Sequence, residues 1–360
     1  MKILFVVDAF RGGAGNVIQI LAREFKRRGY DCSIFLVNGK QVEPKYDLEG
    51  IEIIDHRLDD FVKAKNPIDK IMKYEAEYEK IFNDVMPDGI ISFLTNNNTL
   101  SCMANHRRVP LVISERIDPS KASIKLHWRL LRRLEYGKAN KIVVQCSNFS
   151  GFCGGQFKNQ TVTIANPILD PGIYHTVQSK ERVTFISMGR LAKQKNFTWM
   201  IDRMCEIHSR VKNSVLDIYG SGPEKDSLQS YIDSKNAQEY IRLAGYAEEP
   251  YHLLADADIY LMTSDYEGFP NALSEAMAVG LPSVSRECHA GIRDLVQDGV
   301  NGFLTTMDDK DSFVERCVLL AGDHELRKEI SDSARAVCVK YSVGRITDVW
   351  EELMLQKRMR

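Results

Sequence analysis

The chain opens Lys2-Ile3-Leu4-Phe5-Val6-Val7-Asp8, and after Ala9 and Phe10 it continues Arg11-Gly12-Gly13-Ala14-Gly15. The apolar run reads as a strand buried on both faces, the glycines as a turn, and Val17, Leu21 and Phe25, recurring at i+4, as the inward face of a helix. Gly29 stops that helix, and Cys32 to Val37 supplies a second strand. A strand, a helix and a strand so close together form a β-α-β unit with a right-handed crossover, which makes the class α/β with a parallel sheet.

The same grammar continues outward. Ile71, Tyr78, Ile81 and Val85 predict a helix closed by Pro87-Asp88-Gly89, and apolar runs at Ile90 to Leu94, Leu111 to Ile113, Ile142 to Val144 and Val162 to Ile164 predict strands. Ala165-Asn166-Pro167 and the linker-like Pro171-Gly172 then break the series. A second series follows, with strands expected at Val183 to Met188, Val215 to Tyr219, Ile241 to Ala244, Ile259 to Met262 and Pro282 to Ser285. At 360 residues the chain exceeds one ordinary core, so two doubly wound, Rossmann-like domains facing a central cleft are expected.

Composition narrows the function classes. The sequence is 44% hydrophobic and 27% charged, an ordinary globular balance, and its formal net charge of −1 offers no global attraction for nucleic acid. Asp8 interrupts the first apolar run before a signal-peptide core forms, and no run approaches the roughly 20 residues that span a bilayer. The eight cysteines, at 32, 102, 146, 153, 205, 288, 317 and 338, include no Cys-x-x-Cys pair and read as reduced, buried thiols. A cytoplasmic location and no metal site are the expectations.

In doubly wound sheets ligands gather beyond the carboxyl ends of strands, so the loops there carry the candidates. Gly189-Arg190-Leu191-Ala192-Lys193-Gln194-Lys195-Asn196 places cations at such an edge, where Arg190 and Lys195 suit a diphosphate. Gly220, in Tyr219-Gly220-Ser221-Gly222-Pro223, would let a backbone approach a ligand closely. In Ser264 to Met277, Pro270 suits a first helical turn, so a helix is expected to open near Phe269 with free amides around Gly268, Phe269, Pro270 and Asn271. Glu267 then lies before the helix and Glu275 within it, at most about 12 Å apart, the scale of a nucleotide sugar. Glu267 reads as gripping sugar hydroxyls and Glu275 the ribose.

Gly189-Arg190-Leu191 with Lys195-Asn196, Gly220-Ser221-Gly222-Pro223, and Glu267-x7-Glu275 within Glu-Gly-Phe-Pro-Asn together resemble the retaining glycosyltransferases of family 4. Gly12-Gly13-Ala14 and Asp298-Gly299-x-Asn301-Gly302-Phe303 extend the likeness over nearly the whole chain. The resemblance implies the GT-B fold, with an acceptor domain at 1–167, a nucleotide-sugar domain at 168–343, and a final helix at 344–360 returning to the first. Pro87 to Phe93 and Ile113-Ser114-Glu115-Arg116 are most similar to bacterial hexose or N-acetylhexosamine transferases of polysaccharide biosynthesis. A UDP-sugar donor, a glycan or lipid-linked acceptor and independence of metal follow from the likeness.

The candidate catalytic residues are therefore Arg190, Lys195 and Glu267. The candidate binding residues are Gly13, Gly15, Gly220, Gly268, Phe269, Pro270, Asn271 and Glu275, with Glu115 and Arg116 standing where many members have a histidine. Gly15 also stands where many carry an acid. Lys121 to Lys141, with seven basic residues against one acidic and Ile124, Trp128, Leu131 and Leu134 at helical intervals, adds an anionic membrane surface on the inner face of the cytoplasmic membrane as an expected partner.

Three other readings stay open. A nicotinamide-dependent oxidoreductase would share the opening β-α-β unit, but Ile18 stands where its third glycine belongs. A non-catalytic nucleotide- or glycan-binding protein would share the motifs, and so would a GT-B epimerase. Asp256-Ala257-Asp258 resembles a metal-binding Asp-x-Asp, yet it abuts an apolar strand and reads as structural.

Overall fold

The computed structural model describes residues 1–10, 12–39, 43–117, 124–146, 149, 151–178, 181–288 and 292–356, with Phe61 and Cys153 described by their backbone alone. Arg11 of the expected turn and Lys121 of the expected basic segment lie outside them. The chain divides into two units, Met1–Pro167 with Val343–Arg360, and Ile168–Ser342.

The first unit holds seven parallel strands: β1 (Lys2–Val7), β2 (Asp31–Leu36), β3 (Glu52–Asp55), β4 (Gly89–Phe93), β5 (Leu111–Ser114), β6 (Lys141–Val144) and β7 (Thr161–Thr163). Their order is β3-β2-β1-β4-β5-β6-β7, so the order reverses between β1 and β4. The second holds six: β8 (Val183–Met188), β9 (Ser214–Tyr219), β10 (Ile241–Gly245), β11 (Ile259–Met262), β12 (Ser283–Arg286) and β13 (Phe303–Thr305), in the order β10-β9-β8-β11-β12-β13. Both are doubly wound sheets with helices between strands. β1, β4 and β5 are almost wholly buried, which is why they read as continuous apolar runs rather than alternating ones.

Two short strands escape the sequence pattern. β3, Glu52-Ile53-Ile54-Asp55, is an edge strand with three residues exposed and Ile54 half-buried, too short and charged for an apolar run, and β13 has three residues. The helix Thr95–Ala104 is missed as well, because Thr95-Asn96-Asn97-Asn98-Thr99 is a run of poor helix formers. Tertiary bonds hold it: Asn98 Nδ2 donates to the Ser114 carbonyl at 2.8 Å, and the Tyr78 hydroxyl donates to Asn97 Oδ1 at 3.1 Å.

The first helix spans Gly12–Arg27, so Gly13 and Gly15 lie inside its first turn and not in a turn preceding it. A Cβ on Gly15 would stand 2.5 Å from the Ala9 carbonyl oxygen, so glycine is required there by the chain's own path. The last helix, Val343–Leu355, packs within the first unit. Trp350 is buried with its ring 5.7 Å from Phe93, the Arg28 guanidinium pairs with Asp348 at 2.8 Å and with Glu351, and Tyr30 donates to Glu351 at 2.6 Å. Cys32, Cys102, Cys146, Cys288 and Cys317 are buried and join no disulfide among the described residues, and burial pushes the Cys32 thiol up to about 12. Among the described residues no helix is long and apolar enough to cross a membrane.

Candidate functional site

In the second unit the strand order reverses between β8 and β11, and the loops leaving these two strands lock together. The loop after β8 makes a short 3-10 turn at Lys193–Lys195, and Asn196, with φ 50°, turns it into the helix Phe197–Arg210. Asparagine tolerates that left-handed backbone because its short side chain bonds locally. Its Nδ2 donates to Asp265 Oδ1 at 2.9 Å, and the Asp265 amide donates to the Gln194 carbonyl at 2.9 Å. Gln194 Nε2 donates to the Tyr266 carbonyl at 2.7 Å, and Thr263 Oγ1 donates to the Lys195 carbonyl at 3.0 Å.

Arg286, at the end of β12, clamps this arrangement. Its guanidinium donates to the Thr263 carbonyl at 2.8 Å, to Asp265 Oδ1 at 3.2 Å and twice to the Met307 carbonyl, while it lies 4.6 Å from the centroid of the Trp199 ring. Gln194, Asn196, Asp265 and Arg286 were not among the sequence candidates. The available signals were an asparagine directly before a helical pattern and an arginine at a strand's carboxyl end.

The lock brings two candidates into contact: Lys195 Nζ donates to Glu267 Oε1 at 2.7 Å, with Glu267 buried and Lys195 mostly so. Arg190 is exposed and has no ion-pair partner among the described residues. Glu275 lies in the helix Asn271–Val279. The buried Tyr260 hydroxyl is raised well above its usual range, first by burial, then by the charge of Glu267, and further by that of Glu275.

Around the helix start, two expectations change, those for Pro270 and Asn271. Pro270 is the N-cap residue and not the first helical one, and having no N–H it donates nothing. The Asn271 amide donates to the Phe269 carbonyl at 2.9 Å. The Phe269 ring is buried edge-to-face against Tyr341, 6.2 Å away, so its apolar surface serves the core. The amides of Gly268 and Phe269 have no acceptor among the described residues, and no side chain caps the helix. Such uncapped donors suit an anionic ligand.

Gly220 also changes meaning. Its φ is 153°, and a Cβ there would stand 1.8 Å from the Gly189 carbonyl oxygen; a Cβ on Gly222 would stand 2.3 Å from that of Leu191. The two loops are joined by bonds from the Gly189 amide to Tyr219 and the Leu191 amide to Ser221, both 2.9 Å. Glycine is needed where loop meets loop, with no ligand required to explain it.

The first unit has a cavity of about 730 Å³ at the carboxyl ends of β1, β2, β4 and β5, beside the β1/β4 reversal. Glu115 and Arg116 line it, but Glu115 is turned to internal partners: Tyr136 donates to it at 2.6 Å, Thr95 at 2.7 Å, and Arg132 lies at 3.8 Å. Burial raises its pKa despite those bonds. Gly13 and Gly15 lie at the neighbouring helix start. The candidates thus form two groups, one in each unit. Asp258 of Asp256-Ala257-Asp258 is buried and accepts from the Thr184 amide at 2.8 Å, a structural use.

Comparison with known proteins accords with this division. Residues 175–337, all within the second unit, match the family model described as glycosyl transferases group 1. Over 206 residues the chain is 30% identical to the UDP-N-acetylglucosamine–peptide N-acetylglucosaminyltransferase GtfA subunit of Streptococcus gordonii, covering 55% of this chain and only 40% of that relative. Over 352 residues it is 26% identical to the N-acetylgalactosamine-N,N'-diacetylbacillosaminyl-diphospho-undecaprenol 4-alpha-N-acetylgalactosaminyltransferase of Campylobacter jejuni, covering 92% of this chain and 93% of that one. A crystal structure of an S. aureus TarM mutant in complex with fondaparinux, alpha-GlcNAc-glycerol and UDP superposes with a TM-score of 0.80 at 14% identity, covering 99% of this chain and 100% of that one. The fold is GT-B, two Rossmann-like α/β domains, and it is the second unit that carries the similarity to the group 1 glycosyl transferase model.

Proposed function

We propose that the chain is a retaining glycosyltransferase that moves a hexose or N-acetylhexosamine from a UDP-sugar to a glycan or lipid-linked acceptor in polysaccharide biosynthesis. The observation that carries this reading is the cluster at the β8/β11 reversal: the Lys195–Glu267 pair, the exposed Arg190 and the uncapped start of the Asn271–Val279 helix. The names of the Streptococcus and Campylobacter relatives and the UDP in the TarM structure support the choice of donor and acceptor class.

In the proposed chemistry the bond from the donor's anomeric carbon to the diphosphate oxygen breaks, and a bond to the acceptor hydroxyl forms on the same face. The proton of that hydroxyl passes to the leaving diphosphate oxygen, so no protein base is required. Arg190 and the Gly268 and Phe269 amides offset the charge that develops on the leaving group. Lys195 joins them from a position fixed by Glu267, and Glu267 keeps its second oxygen for a sugar hydroxyl. Glu275 takes the ribose, and no metal is needed.

The acceptor's setting is read from the helix Leu126–Glu135. Leu126, Leu130 and Leu134 are 67%, 56% and 72% exposed on one stripe, flanked by exposed Lys125, Arg129 and Arg133. The sequence had placed Trp128 and Leu131 on the apolar face; both are half-buried, so the outward face is the leucine stripe. Leucines beside cations fit an anionic bilayer, where a lipid-linked acceptor would reside.

Release of UDP from UDP-sugars, measured with and without a lipid-linked or free glycan acceptor and in excess chelator, tests the function. Acceptor-dependent release with retained configuration, undiminished by chelator, is expected. Binding of UDP with no release under any acceptor would leave a non-catalytic binder.

A further inference from the structure

Arg116 is 8% exposed, on the wall of the first unit's cavity with Thr95, Asn97, Lys125 and Trp128. Its guanidinium lies 4.3 Å from the centroid of the Phe93 ring. Nη1 donates to Ser114 Oγ at 3.3 Å and Nη2 to Asn166 Oδ1, while Nε has no acceptor. All of these partners are neutral, and among the described residues no carboxylate lies within ion-pair distance of it. Glu115, its chain neighbour, is turned to Tyr136, Thr95 and Arg132. With nothing but burial acting on it, the arginine's pKa falls to about 9.

A buried cation without a counter-charge is held against its loss of hydration. Of the other buried guanidinium groups among the described residues, Arg132 faces Glu115, Arg286 bonds Asp265, and Arg327, which is not on the wall of that cavity, donates to the backbone carbonyls of Leu320 and Ala321. Arg116 does not stand where the packing needs a charge. Asn166 Oδ1 is held independently by Gln145 Nε2 at 2.8 Å, and the face of Phe93 would accept any long side chain. What distinguishes the position is the cavity, whose volume of about 730 Å³ is that of a small-ligand pocket.

We infer that Arg116 is the anchor of an oxyanion subsite in the first unit, taking a carboxylate or phosphate group of the ligand bound in that cavity. The planar fork can hold two oxygens of such a group, and the ligand's charge would supply what the protein omits. Calling that ligand the acceptor rests on the transferase reading. The acceptor would then be an acidic sugar chain or one carrying phosphate, and a neutral glycan would bind poorly.

The test uses the full chain with saturating UDP, so that the donor half is occupied, and reads the thermal midpoint against rising glucuronate, glycerol phosphate and glucose. A concentration-dependent rise with glucuronate assigns a sugar carboxylate, and one with glycerol phosphate assigns a phosphate. Glucose is expected to give none. Arg116→Met should weaken the anion response at least about 10-fold while leaving the UDP response unchanged. Without anion its midpoint should stay level or rise, because an uncompensated charge has been removed. Equal responses to all three probes, or an anion response that survives in Arg116→Met, overturns the subsite. Should Arg116→Met not fold, Arg116→Lys decides: it keeps the charge without the fork, and an undiminished response there counts against the proposal. Loss of the UDP response in the unmodified chain would count against the donor reading alone.

Discussion

The two sheets reverse their strand order in the same way, yet the charges at the two reversals are handled differently. In the second unit Lys195 is answered by Glu267 and Arg286 by Asp265, and the Arg190 side chain remains in solvent. In the first, Glu115 is answered but Arg116 is buried among neutral partners. A site whose cations are paired or solvated can stand empty at little cost, whereas a buried unpaired cation is held at the expense of stability. On the proposed reading, the second unit would take its ligand with its charges already paired or solvated, and the first would keep a charge in reserve.

The comparison breaks most severely at the glycines. Gly220→Ala forces a Cβ to within 1.8 Å of the Gly189 carbonyl oxygen at a φ of 153°, and should cost about 4 kcal/mol or abolish folding of the second unit. Gly12→Ala, with φ 67° and open space around it, should cost about 1 kcal/mol. Urea midpoints check both, and similar losses would mean that the loops at 189 and 220 are not packed as described.

Next in size, Arg190→Ala combined with Lys195→Ala should lower turnover about 100-fold or more while the fold stays intact. Turnover near that of the unmodified chain would move charge stabilisation elsewhere. A single Leu130→Ser change should then weaken binding to phosphatidylglycerol vesicles about 10-fold, and added salt should weaken it further. No sedimentation with vesicles at low salt, even before substitution, would end the membrane reading.

The smallest effect concerns Glu115. Its pKa is raised in the folded state, chiefly by burial, so the native state holds the proton more tightly than the unfolded chain. The stability this contributes is complete below the ordinary glutamate range and is lost as pH rises through the folded value. Glu115→Gln cannot titrate. It should cost about 1 kcal/mol at acid pH for altered bonds to Tyr136 and Thr95, and the gap to the unmodified chain should narrow toward pH 8. A gap that widened with pH would mean the carboxylate is stabilised in its charged form.

Much of the molecule was legible from local pattern. Buried parallel strands announce themselves as apolar runs, and the strand expected at Val183 to Met188 has those very limits in the structure. The loops after β8 and β11 could be singled out because ligand edges follow from topology. The sequence by itself also determined where charge and glycine gather. It could not decide what each was for, since partners distant in the chain settle that: Gly220 answers to Gly189, Lys195 to Glu267, and the Phe269 ring to Tyr341. Nor could it separate Glu115 from Arg116, adjacent in the chain. Burial and the reach of Tyr136, Thr95 and Arg132 neutralise one and leave the other to the cavity, because electrostatic partnership depends on distance through space and on the water excluded between groups.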